Sequence, residues 1–342
     1  MRHVVAAVAL AVCTVTAVVC ADQAGGGGPQ AGGRGTQTAA PAPQAPSPKP
    51  QASSPKPQAS SAAFDSAKAW EHLRQMVSIG PRPAGSAAIR LTRAYITRQL
   101  SSYGLTVQEQ PFTANTPAGK VEMVNLSVRL PGRRTDRILL TGHYDTKRFS
   151  EFQFVGASDG ASSAAILIEL ARALKGRPHE FTYEFVWFDG EEAVCKGWDE
   201  CGTTDSPDNT YGSRYYVQAA KSANALPTLK AMILFDMIGA KDLKLKRDGS
   251  STPWLVDLVW AAAKRLGHTS TFQEVRGDVG GDDHMPFMQA GIPSIDIIDL
   301  DDYVQLWHTK DDDLAHVSAS SMEVVANVVL AALPDIEKRL MR

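Results

Sequence analysis

Apolar positions recur at helical spacing over residues 67–77 and again over 87–103, and Ile79-Gly80-Pro81-Arg82-Pro83-Ala84-Gly85 breaks the run between them. Three extended stretches follow, Val107 to Phe112, Glu122 to Leu130 and Arg137 to Thr141. Residues 163–174 read as a strongly apolar helix, 182–188 and 231–235 as strands, and 254–266 as a helix. Ile292 to Ile298 reads as a buried strand and residues 320–340 as a closing helix. From residue 137 onward, helices alternate with short, continuously apolar strands. That alternation predicts an α/β fold, a three-layer sandwich around a mixed, largely parallel central sheet, in a single domain spanning residues 63–342.

Ahead of this domain the pattern changes twice. Met1-Arg2-His3 precedes an apolar run from Val4 to Val19 that is short for a transmembrane helix. Val19-Cys20-Ala21 has the form of a signal-peptidase site, so residues 1–21 read as a signal peptide cleaved after Ala21. The alternative is a lipoprotein anchored through Cys20, which Val19 fits poorly because a small residue is usual there. Either way the expected location is secreted or periplasmic, with no integral membrane segment in the mature chain. From 22 to 62 the composition collapses to Gly, Pro, Ala, Ser and Gln, and the heptapeptide Ser47–Ser53 repeats as Ser54–Ser60. Such a segment buries too little apolar surface to offset its ordering entropy, so it reads as a disordered tether.

Charge adds little. The chain has 342 residues, 44% of them hydrophobic, with 35 basic and 37 acidic side chains and a formal net charge of -2. This balance gives no reason to expect nucleic acid or an anionic membrane surface as a partner. Of four cysteines, Cys195 and Cys201 fall outside the leader. In an exported chain they are expected to pair; a cysteine zinc site lacks the second pair it needs.

The chemistry lies where the apolar strands end. His143-Tyr144-Asp145 follows the strand at 137, and Gly156-Ala157-Ser158-Asp159 precedes the helix at 163. Asp189-Gly190-Glu191-Glu192 follows the strand at 182, and Asp236 the one at 231. Asp282-Asp283-His284 follows two glycines, and Trp307-His308 comes after the last strand. Each residue alone has a plain structural reading: a helix cap for Asp159, a turn for Asp189-Gly190, solvated side chains for Glu191, Glu192 and His308. Together they would crowd carboxylates at one end of a sheet, and a divalent cation relieves that cost. Imidazole with carboxylates suits zinc. Of the adjacent Glu191 and Glu192, one can bind metal while the other faces the substrate as acid and base.

These motifs resemble the zinc-exopeptidase superfamily of M28-like aminopeptidases. Gly80–Ser86, His143–Lys147, Tyr211–Arg214, Asp236–Ala240, Asp282–Phe287 and Val304–Thr309 are similar in particular to glutaminyl-peptide cyclotransferases, from about residue 65 to the end. The resemblance implies one zinc per chain held by Asp159, Glu192 and His308, with Glu191 as proton shuttle. It implies conversion of an N-terminal glutamine to pyroglutamate with release of ammonia. Asp236 and Asp282 match acids that share hydrogen bonds with Glu191, and Trp307, Trp198 and Lys147 match the substrate pocket. The alternative is a two-zinc aminopeptidase, whose second metal would use His143, Asp159 and Asp236. A non-catalytic domain of the same fold would have lost a ligand or Glu191, and none is lost.

Overall fold

The computed structural model describes residues 63–299 and 302–342. The signal-peptide and tether readings lie outside the described residues. Helix α1 (Ser66–Ile79) starts where the Asp65 carboxylate accepts from the amides of Ala67 and Lys68. Ser86 caps α2 (Ala87–Ser102) in the same way. The chain then runs through β1 (Gln108–Thr116), β2 (Gly119–Leu130), β3 (Arg134–His143), α3 (Ala161–Leu174) and β4 (Phe181–Phe188). A two-residue hairpin, β5 (Gly202–Thr203) with β6 (Ser206–Pro207), leads into α4 (Tyr211–Ser222) and β7 (Leu229–Asp236). Last come β8 (Leu245–Asp248), α5 (Pro253–Arg265), β9 (Phe272–Gly277), α6 (Met285–Gln289), β10 (Ser294–Ile298) and α7 (Ala319–Leu340).

Six strands form one sheet in the order β1-β2-β4-β3-β7-β10. The pairs β4–β3, β3–β7 and β7–β10 are parallel, while β1–β2 and β2–β4 are antiparallel. The expected mixed sheet is therefore present. Strand alternation explains the three layers. Ile138, Leu140, Phe185, Trp187, Ile233 and Phe235 point to one face, into a core shared with α1, α3, α5 and α7. Leu139, Val186, Phe188, Met232 and Leu234 point to the other, against Tyr216 of α4 and Phe287 of α6. With apolar neighbours on both sides, these strands read as unbroken apolar runs.

Helix α7 is long and apolar enough to cross a membrane by composition, yet Val325, Ala326, Val328, Val329 and Ala332 are fully buried in the core. The structure adds elements the apolar pattern does not reveal: α4, α6 and the small parallel pair β8–β9. It also carries β1 on to Thr116, four residues past the expected end at Phe112.

Candidate metal centre

In an open α/β sheet the carboxyl ends of parallel strands leave a crevice that the following loops line. Here β3 ends on His143 and β7 on Asp236, and β4 is followed at once by Asp189, Glu191 and Glu192. Asp159 stands just before α3. Asp282 arrives from the loop ahead of α6, just after Gly280 and Gly281. His308 comes from the long loop after β10 and has φ 57°, in the left-handed region. That conformation costs of order 1 kcal/mol for a residue with a Cβ, and such strain gathers at functional sites.

The donors converge. His308 Nε2 lies 3.0 Å from Glu192 Oε2 and 3.5 Å from Asp159 Oδ2. Asp159 Oδ2 is buried and accepts no hydrogen bond. A tetrahedral ion with bonds of about 2.0–2.1 Å spaces its ligands about 3.3 Å apart, so these three atoms fit zinc. A second set shares Asp159: His143 Nε2 is 3.2 Å from Asp159 Oδ1 and 3.2 Å from Asp236 Oδ1. The donor atoms of each set lie within 4.8 Å of one another. Cys195 and Cys201 form a disulfide, as expected, so their sulfurs are not available to a metal.

The backbone around the ligands is tightly held. Asp145 accepts from the amides of Glu191 (3.2 Å) and Glu192 (3.4 Å), which fixes the turn after Gly190. Gly190 has φ 72°, and a Cβ there would run into the Met123 side chain. Asp312 accepts from the amides of Ser158 (2.7 Å) and Asp159 (3.1 Å) and from the Tyr303 hydroxyl. Arg82, fully buried, donates to the carbonyls of Tyr144, Val155 and Gly156 and so ties the two loops together. Asp312 and Arg82 escape a reading of the sequence. Asp312 sits in an acidic run that looks solvated, and Arg82 in a Pro-Gly turn. The only signal for Arg82 is its place in the Gly80–Ser86 motif.

Lys147 is corrected by the structure. It does not face the site: its side chain is buried, and Nζ donates to the carbonyls of Ala193 (2.7 Å) and Cys195 (2.8 Å). Its backbone amide holds Glu192 Oε1 at 2.9 Å, leaving Oε2 for the metal side. The hydrogen-bond sharing implied between Asp236 and Glu191 is also absent among the described residues. Asp236 Oδ1 instead faces His143 and accepts from the Met237 amide.

Electrostatics set this end of the sheet apart. Burial pushes the Asp159 carboxyl up to about 7, with Glu192 beside it adding to the rise. Burial also holds Glu191 and Asp282 well above the ordinary carboxylate range. For Glu192 burial acts the same way, but His308 outweighs it and the carboxyl lies below its usual value. For His143 burial opposes the charge, yet Glu191 and Asp236 hold the imidazole well above its ordinary value. These groups open into a cavity of about 130 Å³ lined by Asp159, Glu191, Glu192, Asp282 and His308 and walled by Trp198 and Trp307. Trp307 stacks on His308 with ring centres 4.0 Å apart.

A family model for peptidase family M28 matches residues 125–333, which include every one of these groups. The chain belongs to peptidase family M28. Within the family, a solved glutaminyl cyclase from an Acidobacteriales bacterium is 34% identical, with a TM-score of 0.74, covering 84% of this chain and all of that one. A glutaminyl-peptide cyclotransferase-like protein of Mus musculus is 29% identical over 79% of this chain and 76% of its own length. A leucine aminopeptidase precursor from Bacteroides thetaiotaomicron, 25% identical with a TM-score of 0.71, covers 80% of this chain and 98% of its own. Neighbours of similar fold thus bear both names.

Proposed function

We propose that this M28 chain is a zinc-dependent glutaminyl-peptide cyclotransferase, converting the N-terminal glutamine of peptides and proteins to pyroglutamate with release of ammonia. The observation that carries the reading is Glu191. It lines the same small cavity as Asp159, Glu192 and His308 yet stands outside their donor set, and burial holds its carboxyl well above the ordinary carboxylate range, as suits a group that takes and returns a proton. A zinc ion held by Asp159, Glu192 and His308 would supply Lewis-acid polarisation of the side-chain carbonyl.

The chain's own groups do the rest. The free α-amine of the substrate attacks its own side-chain amide carbon, so one C–N bond forms and another breaks. Glu191 takes the proton from the attacking amine and returns it to the nitrogen that leaves as ammonia. Asp282 lines the same cavity, and burial together with Asp236 and Asp283 raises its carboxyl well above the ordinary range, which favours the protonated form that can donate a hydrogen bond to the oxygen that gains charge. Trp198 and Trp307 hold the glutamine side chain and keep competing water out. The disulfide suits an oxidising compartment, which supports a secreted or periplasmic enzyme with residues 1–21 as signal peptide and 22–62 as tether.

One observation favours a second reading. The complete set of His143, Asp159 and Asp236 could hold a second zinc, as a two-metal aminopeptidase needs. Purified protein should be given a Gln-initiated peptide and an aminoacyl chromogenic amide, with its zinc counted by elemental analysis. Ammonia release with loss of the free amine and one zinc per chain is the expected result. Chromophore release with two zinc per chain would establish the aminopeptidase instead.

A further inference from the structure

The cavity beside Glu191 has a volume of about 130 Å³, close to that of a cavity that takes one benzene ring, so it receives one side chain and little more. A larger cavity of about 830 Å³ adjoins it, and Trp198, Gly281 and Asp282 line both. Its outer wall is the loop closed by the Cys195–Cys201 disulfide together with the β5–β6 hairpin, and its floor includes Thr210, Met285 and Pro286. A Cβ built on Gly281 meets nothing within 4 Å, so the shared rim is open. An extended chain anchored by its first side chain in the small cavity can continue over this rim into the large one.

The charge of the second cavity gives it a preference. Asp199 and Asp205 stand exposed on the loop wall, and among the described residues no hydrogen bond or ion pair engages either carboxylate. Against these two exposed carboxylates the lining sets one cation, Arg214, whose guanidinium is turned back onto the chain. It donates to the carbonyls of Pro207 and Asn209 at 2.8 Å and lies over the Tyr211 ring. We propose that this cavity is a subsite for the residues following the N-terminal glutamine of a polypeptide substrate, and that it favours basic side chains there. The proposal rests on the cyclase reading above.

The test compares kcat/KM for two peptides, Gln-Ala-Lys-Ala and Gln-Ala-Glu-Ala, each referred to the same enzyme's turnover of glutamine amide, which fills only the small cavity. The lysine peptide should lead by about three- to tenfold at low salt, as expected for exposed charge pairs, and the gap should shrink at about 1 M salt. In the Asp199→Asn/Asp205→Asn variant the ratio should fall towards one. Gly281→Leu, which fills the rim, should lower both peptides relative to the amide. Equal values for the two peptides, or a gap that survives in the double variant, overturns the subsite alone. No turnover of glutamine amide itself overturns the cyclase reading, and the subsite with it.

Discussion

In the body of the sheet, Glu184 is fully buried but gripped by Arg137 at 2.6 Å and Arg129 at 3.1 Å. On the helical side, Glu337 accepts from the Tyr183 hydroxyl and from the amides of Glu180 and Phe181. At the carboxyl end of the sheet, Asp159, Asp282 and Asp283 are buried as deeply, and among the described residues no lysine or arginine forms an ion pair with any of them. The first group has its charge answered by the protein. The second sets the imidazoles of His143 and His308 against Asp159, and several of its carboxyls are lifted by desolvation. Buried acids alone do not mark a site; buried acids that the fold leaves unanswered do, because the missing partner is then a ligand.

The sharpest way to break this contrast lies at the adjacent pair Glu191 and Glu192. Glu192→Gln should lose zinc and lower turnover by about 10³-fold or more, since several kcal/mol of Lewis-acid stabilisation go with the ion. Glu191→Gln should keep zinc and still lower turnover by about 10²–10⁴-fold. Zinc content and kcat measured side by side separate the two roles. A Glu191→Gln enzyme with near-normal turnover would remove the proton shuttle from the mechanism.

The answered acids should respond through stability. Arg137→Met leaves Glu184 buried with the half-exposed Arg129 as its one remaining ion-pair partner, and should cost about 3–5 kcal/mol in urea unfolding while zinc content stays at the wild-type level. The double change Arg137→Met/Glu184→Met should recover most of that loss. If the single change is silent, the pairing carries no weight and the distinction between the two groups of acids fails.

The same distinction explains what the sequence reveals. Strands β3, β4, β7 and β10 are legible because both of their faces are buried, and the residues at or just past the ends of three of them are legible as candidate ligands because apolar runs point to them. Helix α4 is not, because only Tyr211, Gly212, Ser213 and Tyr216 of its twelve residues are buried and polar positions hide its period. Arg82 and Asp312 act on backbone amides and carbonyls of distant loops, and no local pattern encodes such partners. Lys147 is the instructive error. A lysine in an active-site motif reads as facing substrate, while the carbonyls that hold it lie 46 and 48 residues further on.

The smallest effect expected, and one the answered acids should not share, is a pH dependence of the metal-free protein. Burial places the Asp159 carboxyl at about 7, against an ordinary value near 4 in the unfolded chain. Between these values the folded state binds the proton that the unfolded state has released, so stability falls as pH rises from about 4 to about 7. One such proton gives at most about 1.4 kcal/mol per pH unit. His143 and His308 are held above their usual values by the carboxylates around them, against the effect of burial, and extend the fall above pH 6.5 with the same sign. His72 acts oppositely: burial pushes it down to about 4, so the unfolded state binds the extra proton between about 4 and 6.5 and stability rises with pH there. Unfolding in chelator, with His72→Gln to remove that opposing contribution, should therefore show stability declining towards neutral pH. Zinc requires ionised Asp159, so added metal should abolish or reverse the slope. A flat profile in chelator would mean that the protein already answers the charge of Asp159, and the site would lose its claim to be unfinished without a metal.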